Sequence, residues 1–201
     1  MGGELPIPRI AIGDSPDAKR AAFADFLAAA KAALGEDDDG GGDGGGGRGG
    51  GGHDAVAAMA TLAFLLARLL PHATWSGFYR ARRDGSLIVG PYVGTSMGCL
   101  RIPAGRGVCG AAAAGRRALV VPDVAAFPGH IACASSTRSE LVVPVYEGGD
   151  AGDGRVVAVV DLDSDAPAAF DDADADGVAA LCQWLGAAFF PPRGDEAAAG
   201  R

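Results

Sequence analysis

The chain reads as a single α+β domain, a mostly antiparallel sheet packed with helices on one face. Two observations predict this. Apolar residues recur at helical spacing up to residue 70 and again after residue 171. Between those segments they fall in short runs cut by Gly, Pro and Asp, the pattern of strands and turns. Repeating strand–helix–strand units are missing, which argues against a parallel sheet.

The elements follow in order. Ser15, Pro16 and Asp17 form a helix start: a capping side chain, a proline at the first helical position and an acid in the first turn. Phe23, Phe26, Leu27, Ala30 and Leu34 then form one apolar stripe, and Gly35 is placed as the stop. Residues 36–52 run from acids into glycine, with 11 glycines in the 13 residues 40–52 of the 33 in the whole chain. Such a segment cannot bury enough apolar surface to offset its ordering entropy, so it is expected to be a disordered insertion between two packed helices. The second helix opens near Asp54 and carries Val56, Met59, Ala63, Leu66 and Leu70 on one stripe. Strands are predicted over 75–80, 87–89, 99–102, 119–121, 141–145 and 156–162, with a short helix at 108–114. A last helix starts at Asp171, aligns Val178, Leu181, Leu185 and Phe189, and is stopped by Pro191 and Pro192. The expected organisation is an extension over 1–14, a domain over 15–190 and a flexible tail over 191–201.

Charge and length exclude several functions. Lys and Arg number 17 against 25 Asp and Glu, a net charge of −8 with a sequence pI near 4.7. That balance argues against a nucleic-acid or anionic-membrane partner. The longest apolar run, 61–70, is broken by Arg68 and ended by Pro71, too short to span a bilayer. The first residues lack a signal-peptide pattern, so the expected compartment is the cytoplasm. There, four cysteines point to reactive thiols or a metal before structural disulfides.

Two glycine motifs carry less than they suggest. Gly105, Gly107 and Gly110 match a dinucleotide-binding fingerprint, but Asp123 comes too early to be its acid, and a tight turn into the helix suffices. Gly94, Ser96 and Gly98 match a nucleophile elbow, with Asp123 and His130 following in the hydrolase order. The elbow must open a helix, and here a strand is expected instead.

The cysteines say more. Cys182 lies beside the apolar stripe of the last helix and is expected as a small buried hydrophobe. Cys99, Cys109 and Cys133 sit in glycine-rich segments; without a paired spacing, a zinc site from them plus His130 would be irregular. A helix N-terminus could activate Cys109, and His130 could activate Cys133, and local chemistry leaves both open. Asp161 and Asp163 alternate onto one face of their strand, and Glu140 opens another. Clustered carboxyls suit an ammonium group, or an acid kept protonated. Trp75, Phe78 and Tyr79 read, taken alone, as sheet core.

Taken together, several stretches resemble the GAF-domain free methionine-(R)-sulfoxide reductases. They are Trp75-Ser-Gly-Phe-Tyr79, Gly90-Pro-Tyr-Val-Gly94, and the run from Cys99 through Arg-Ile-Pro to Gly-Val-Cys109-Gly. Val121-Pro-Asp-Val, Phe127-Pro-Gly-His-Ile-Ala-Cys133, Ser139-Glu140 and Val160-Asp-Leu-Asp-Ser164 complete the set. The three cysteines keep the family's spacing of 10 and 24.

The resemblance implies that Cys133 is the nucleophile, Cys99 the resolving thiol and Cys109 an auxiliary or alternative resolving thiol. Glu140, Asp161 and Asp163 would bind free methionine sulfoxide between walls formed by Trp75 and Tyr79, with Glu140 or Asp163 as the proton donor. Cys133 would become a sulfenic acid, condense with Cys99 to a disulfide, and be recycled by thioredoxin or a similar dithiol. No metal or organic cofactor is called for. A homodimer through the N-terminal helices is implied by resemblance alone. The rival expectation is a non-catalytic GAF module that senses a small ligand or redox state, since GAF folds host both roles.

Overall fold

The computed structural model describes residues 10, 12–34, 54–152 and 154–192. Gly35, the glycine tract 36–52, most of the extension over 1–14 and the tail from residue 193 therefore lie outside the described residues. Two helices come first, α1 (Pro16–Leu34) and α2 (Ala55–Leu69). Strands β1 (Trp75–Ala81), β2 (Leu87–Gly94) and β3 (Arg101–Ile102) follow, then helix α3 (Gly107–Gly115). Strands β4 (Leu119–Val121), β5 (Ser139–Tyr146) and β6 (Val156–Ser164) lead into helix α4 (Asp172–Phe189).

The helix starts are local chemistry. Ser15 Oγ accepts from the Ala18 amide at 3.2 Å, and Asp54 accepts from the Val56 amide at 2.7 Å. Asp171 and Asp174 cap α4 reciprocally, each side chain accepting from the other's backbone. Lys19 of α1 pairs with Asp174 at 2.6 Å and Asp171 at 2.9 Å, tying the first helix to the last.

The six strands form one sheet in the order β3-β2-β1-β6-β5-β4, antiparallel at every pairing. Strand β2 runs beyond the expected 87–89 to Gly94. Gly90 and Pro91, which read as a break, lie at a bulge opposite Phe78, where a missing amide is tolerated. Strand β3 is shorter than expected: Cys99 and Leu100 stay outside it.

One sheet face buries Phe78, Leu141, Val143, Val160 and Leu162 against α1, α2 and α4. On α2 the inward stripe is Met59, Leu62, Ala63, Leu66 and Leu69, while Val56 is 43% exposed. Residue 56 sits in the first turn, where Ala58 is the first fully buried position of the helix. The expectation that helices cover a single face needs correction. Helix α3 lies on the opposite face, burying Val108, Cys109 and Ala112 against Tyr79, Leu87, Val142 and Val159.

Candidate active site

Strand alternation builds the site on the α3 face. On β6 the residues pointing there are Val159, Asp161 and Asp163, and on β5 they are Glu140 and Val142. The register places Glu140 directly opposite Asp163, and Trp75 of β1 opposite Asp163 from the other side. Cys109, one turn into α3, donates its thiol proton to Glu140 Oε1 across 3.6 Å. Glycine is required on the way into that helix, since Gly105 and Gly107 both adopt positive φ, at 68° and 65°. The glycine fingerprint is thus a turn, as its bland reading had it.

A cavity of about 20 Å³ sits over these groups. Cys109, Cys133, Glu140, Asp161 and Asp163 line it together with His130, Ile131 and Thr137. Cys99 and Cys133 are joined by a disulfide, with Cα atoms 5.1 Å apart. Cys133 lines the cavity, whereas Cys99 packs against the Trp75 and Tyr79 cluster beside it, and both cysteines are half-buried. Cys182 is buried in α4 with a free thiol, far from this chemistry.

Burial dominates the electrostatics. It pushes Glu140 up to about 8, helped by the charge of Asp163. Burial and Asp161 together push Asp163 up to about 9, with a hydrogen bond from Thr137 acting the other way. Asp161 is raised well above the carboxylate range by burial and by Glu140, and its Oδ1 finds no partner among protein atoms. The Cys109 thiol is also raised, first by burial and then by the three acids. At neutral pH the site therefore holds protonated carboxyls, which donate protons readily and ionise when a cation arrives.

Among the described residues, Cys109, Glu140 and Asp161 are the trio with the spacing a metal ion would need, donor atoms lying within 4.8 Å of one another. Two of the three, Cys109 and Glu140, are joined by a hydrogen bond. The irregular set of Cys99, Cys109, Cys133 and His130 is not what comes together, because two of its thiols are spent on the disulfide.

Trp75 and Tyr79 stand one layer behind the cavity. Their rings stack at 5.6 Å, and Trp75 also stacks on Tyr92 at 5.1 Å. The segment 95–100 lies over them: a Cβ at Gly98 would come within 2.6 Å of Tyr79 Oη. This explains Gly94 and Gly98 without a nucleophile elbow, since no helix follows Ser96. His130, weighed by sequence as an activator of Cys133, does line the cavity, whereas Thr137 was not singled out. His130 had a signal, its position three residues before Cys133, whereas nothing local marks Thr137.

The model for the GAF domain matches residues 54–189. The free methionine-R-sulfoxide reductase of Escherichia coli is 37% identical over 130 residues, covering 65% of this chain and 74% of that protein. Protein YtsP of Bacillus subtilis is 44% identical over 60% of this chain and 71% of its own length. Among solved structures, a free methionine-R-sulfoxide reductase from Neisseria meningitidis in complex with its substrate aligns with a TM-score of 0.70 and 35% identity. That alignment covers 85% of this chain and 90% of the other. No helix among the described residues is long and apolar enough to cross a membrane.

Proposed function

From the premise that the chain belongs to the GAF domain family, we propose that it reduces free L-methionine-(R)-sulfoxide to L-methionine with its own cysteines. The observation that carries the reading is the Cys99–Cys133 disulfide, of which Cys133 lines one cavity with Glu140, Asp161 and Asp163.

The cycle begins with both cysteines reduced. The Cys133 thiolate attacks the sulfoxide sulfur while Glu140 or Asp163 protonates the departing oxygen, which would otherwise be a poor leaving group. The protonated oxygen does not leave the site: it passes as hydroxyl to Cys133 Sγ while the transient S–S bond breaks with its electron pair on the methionine sulfur, so that methionine is released and Cys133 is a sulfenic acid. The Cys99 thiol displaces water from it and closes the disulfide, and an external dithiol such as thioredoxin takes the disulfide back to two thiols. Cys109 is the alternative resolving thiol. The remaining carboxyls hold the substrate's ammonium group, whose charge keeps one of them ionised. A methionine inside a peptide lacks that charge, which is the basis for choosing the free amino acid.

The size of the cavity belongs to this cycle. About 20 Å³ is the space of one water molecule, whereas small-molecule pockets start at about 300 Å³. In the proposed cycle the disulfide-bonded state is the one left after turnover, and a cavity this small is in keeping with that place. Reduction frees the segment 95–100, and its movement would uncover Trp75 and Tyr79 as walls for the methionine side chain.

The test is a coupled assay with thioredoxin, thioredoxin reductase and NADPH, supplying the R and S epimers separately. NADPH consumption with the R epimer alone, absent in Cys133→Ser, is expected. Cys99→Ser should complete one turnover and stall; undiminished steady-state rates there would make Cys109 the resolving thiol. No turnover with either epimer, in protein whose thiols titrate as reduced, would leave a ligand- or redox-sensing GAF module instead.

A further inference from the structure

The disulfide of the proposed cycle must be reopened from outside the chain, and the surface around it is uneven. Cys133 lines the cavity, while Cys99 packs against the Trp75 and Tyr79 cluster at the edge of an apolar surface patch. Of the six large apolar side chains exposed among the described residues, four fall between positions 92 and 100: Tyr92, Val93, Met97 and Leu100. Met97 and Leu100 are the most exposed of all, at 75% and 74%, and Cys99 lies between them. The same segment turns its inner side onto Tyr79 and Trp75 through Gly98, so its outer side is what carries Met97 and Leu100. It forms no helix or strand, and is held by Thr95 to Thr74, by Leu100 to Val89 and by the disulfide.

A folded chain gains nothing from leaving two such side chains in water beside a half-buried sulfur. We propose that Met97 and Leu100, edged by Tyr92 and Val93, form the docking surface for a protein dithiol reductant, one whose attacking thiolate is itself ringed by apolar surface. The proposal rests on the reductase reading for its purpose, and its occupant is argued from the cross-link at the centre of the patch. A patch this small suits a transient redox encounter and not a permanent interface.

The exchange follows from the geometry. The partner's thiolate attacks Cys99 Sγ, the sulfur flanked along the chain by Met97 and Leu100. The Cys99–Cys133 bond breaks, Cys133 leaves as a thiolate into the cavity of protonated carboxyls, and a mixed disulfide joins Cys99 to the partner. The partner's second thiol then attacks the partner's own sulfur and releases Cys99 as a thiol. Two electrons and two protons have entered the chain, and the partner is left as a disulfide.

The experiment reduces the oxidised chain in a single turnover, without sulfoxide, so that failure of the reductase reading would show separately in the coupled assay. Thioredoxin and dithiothreitol are compared on the wild type and on the Met97→Ser/Leu100→Ser double variant, with thiols counted by alkylation and mass. The second-order rate with thioredoxin is expected to fall at least tenfold in the variant, and that with dithiothreitol to stay within twofold. A thioredoxin lacking its second cysteine should be trapped on Cys99. Equal rates with thioredoxin in the two proteins, an equal loss with both reductants, or trapping on Cys133 would each overturn the proposal. So would a wild-type dimer that the double variant dissociates, because the patch would then belong to a second copy of the chain.

Discussion

The two faces of the sheet are made by the same three central strands and could hardly differ more. Toward α1, α2 and α4, strands β1, β5 and β6 present Phe78, Leu141, Val143, Val160 and Leu162, a hydrocarbon layer. Toward α3 they present Trp75, Tyr79, Glu140, Asp161 and Asp163, with three carboxyls buried or nearly so. The first face gains free energy from every side chain it removes from water. The second gives some of it up, since burying ionisable groups beside one another is unfavourable. The difference teaches where this molecule keeps its stability and where it keeps its chemistry, and the two are separated by one residue along each strand.

Substitutions that respect that separation should show it. The largest effect is expected from Cys133→Ser, which should lower multiple-turnover reduction by roughly 10³-fold or more while leaving the thermal midpoint of the reduced protein in place. A substantial steady-state rate would mean that the chemistry lies elsewhere. On the opposite face Leu162→Ala should cost about 2–5 kcal/mol in urea unfolding, with activity per folded molecule little changed. A comparable loss of specific activity would show that the faces are coupled.

Glu140→Gln should do the reverse. It should lower kcat/KM by about 10²-fold and leave stability at neutral pH equal or higher, because a buried acid is replaced by a neutral amide. A clear destabilisation would mark Glu140 as a structural residue.

The smallest effect is graded with pH. Glu140 titrates near 8 in the fold against an ordinary 4.5, and Asp163 near 9 against 3.8. Between those values the folded chain binds more protons than the unfolded one, so stability should fall as pH rises from about 4.5 through about 8 to 9. Below the ordinary values both states are protonated and the penalty is absent. Each group contributes a slope of at most about 1.4 kcal/mol per pH unit. Urea unfolding across that range should show a shallower slope in Glu140→Gln, and an unchanged slope would place the titration on other groups.

Much of this was legible in the residues themselves. The helix starts at Ser15, near Asp54 and at Asp171 fell where they were expected, because a capping side chain acts on amides two or three residues away. Asp161 and Asp163 share a face because alternation is a property of a single strand. What local pattern could not supply was company. Val56 fits the helical period yet points to solvent, while Ala58 and Met59 in the next positions are buried. Gly90 and Pro91 read as a break and turned out to be a bulge, because Phe78 on the neighbouring strand absorbs them.

Sequence by itself determined the element order, the alternation and the presence of three loop cysteines in family spacing. It determined them because each depends on interactions within a few residues, or on motifs read directly along the chain. Only the tertiary structure decided that α3 crosses to the carboxyl face, that Glu140 lies opposite Asp163, and that Trp75 and Tyr79 stand behind the cavity. It also decided that Cys133 lines the cavity and that Cys99 is close enough to be joined to it. Those facts depend on register between strands that are distant in sequence and on which layer covers which face. Packing of the whole core settles both, and no short stretch of residues holds that information.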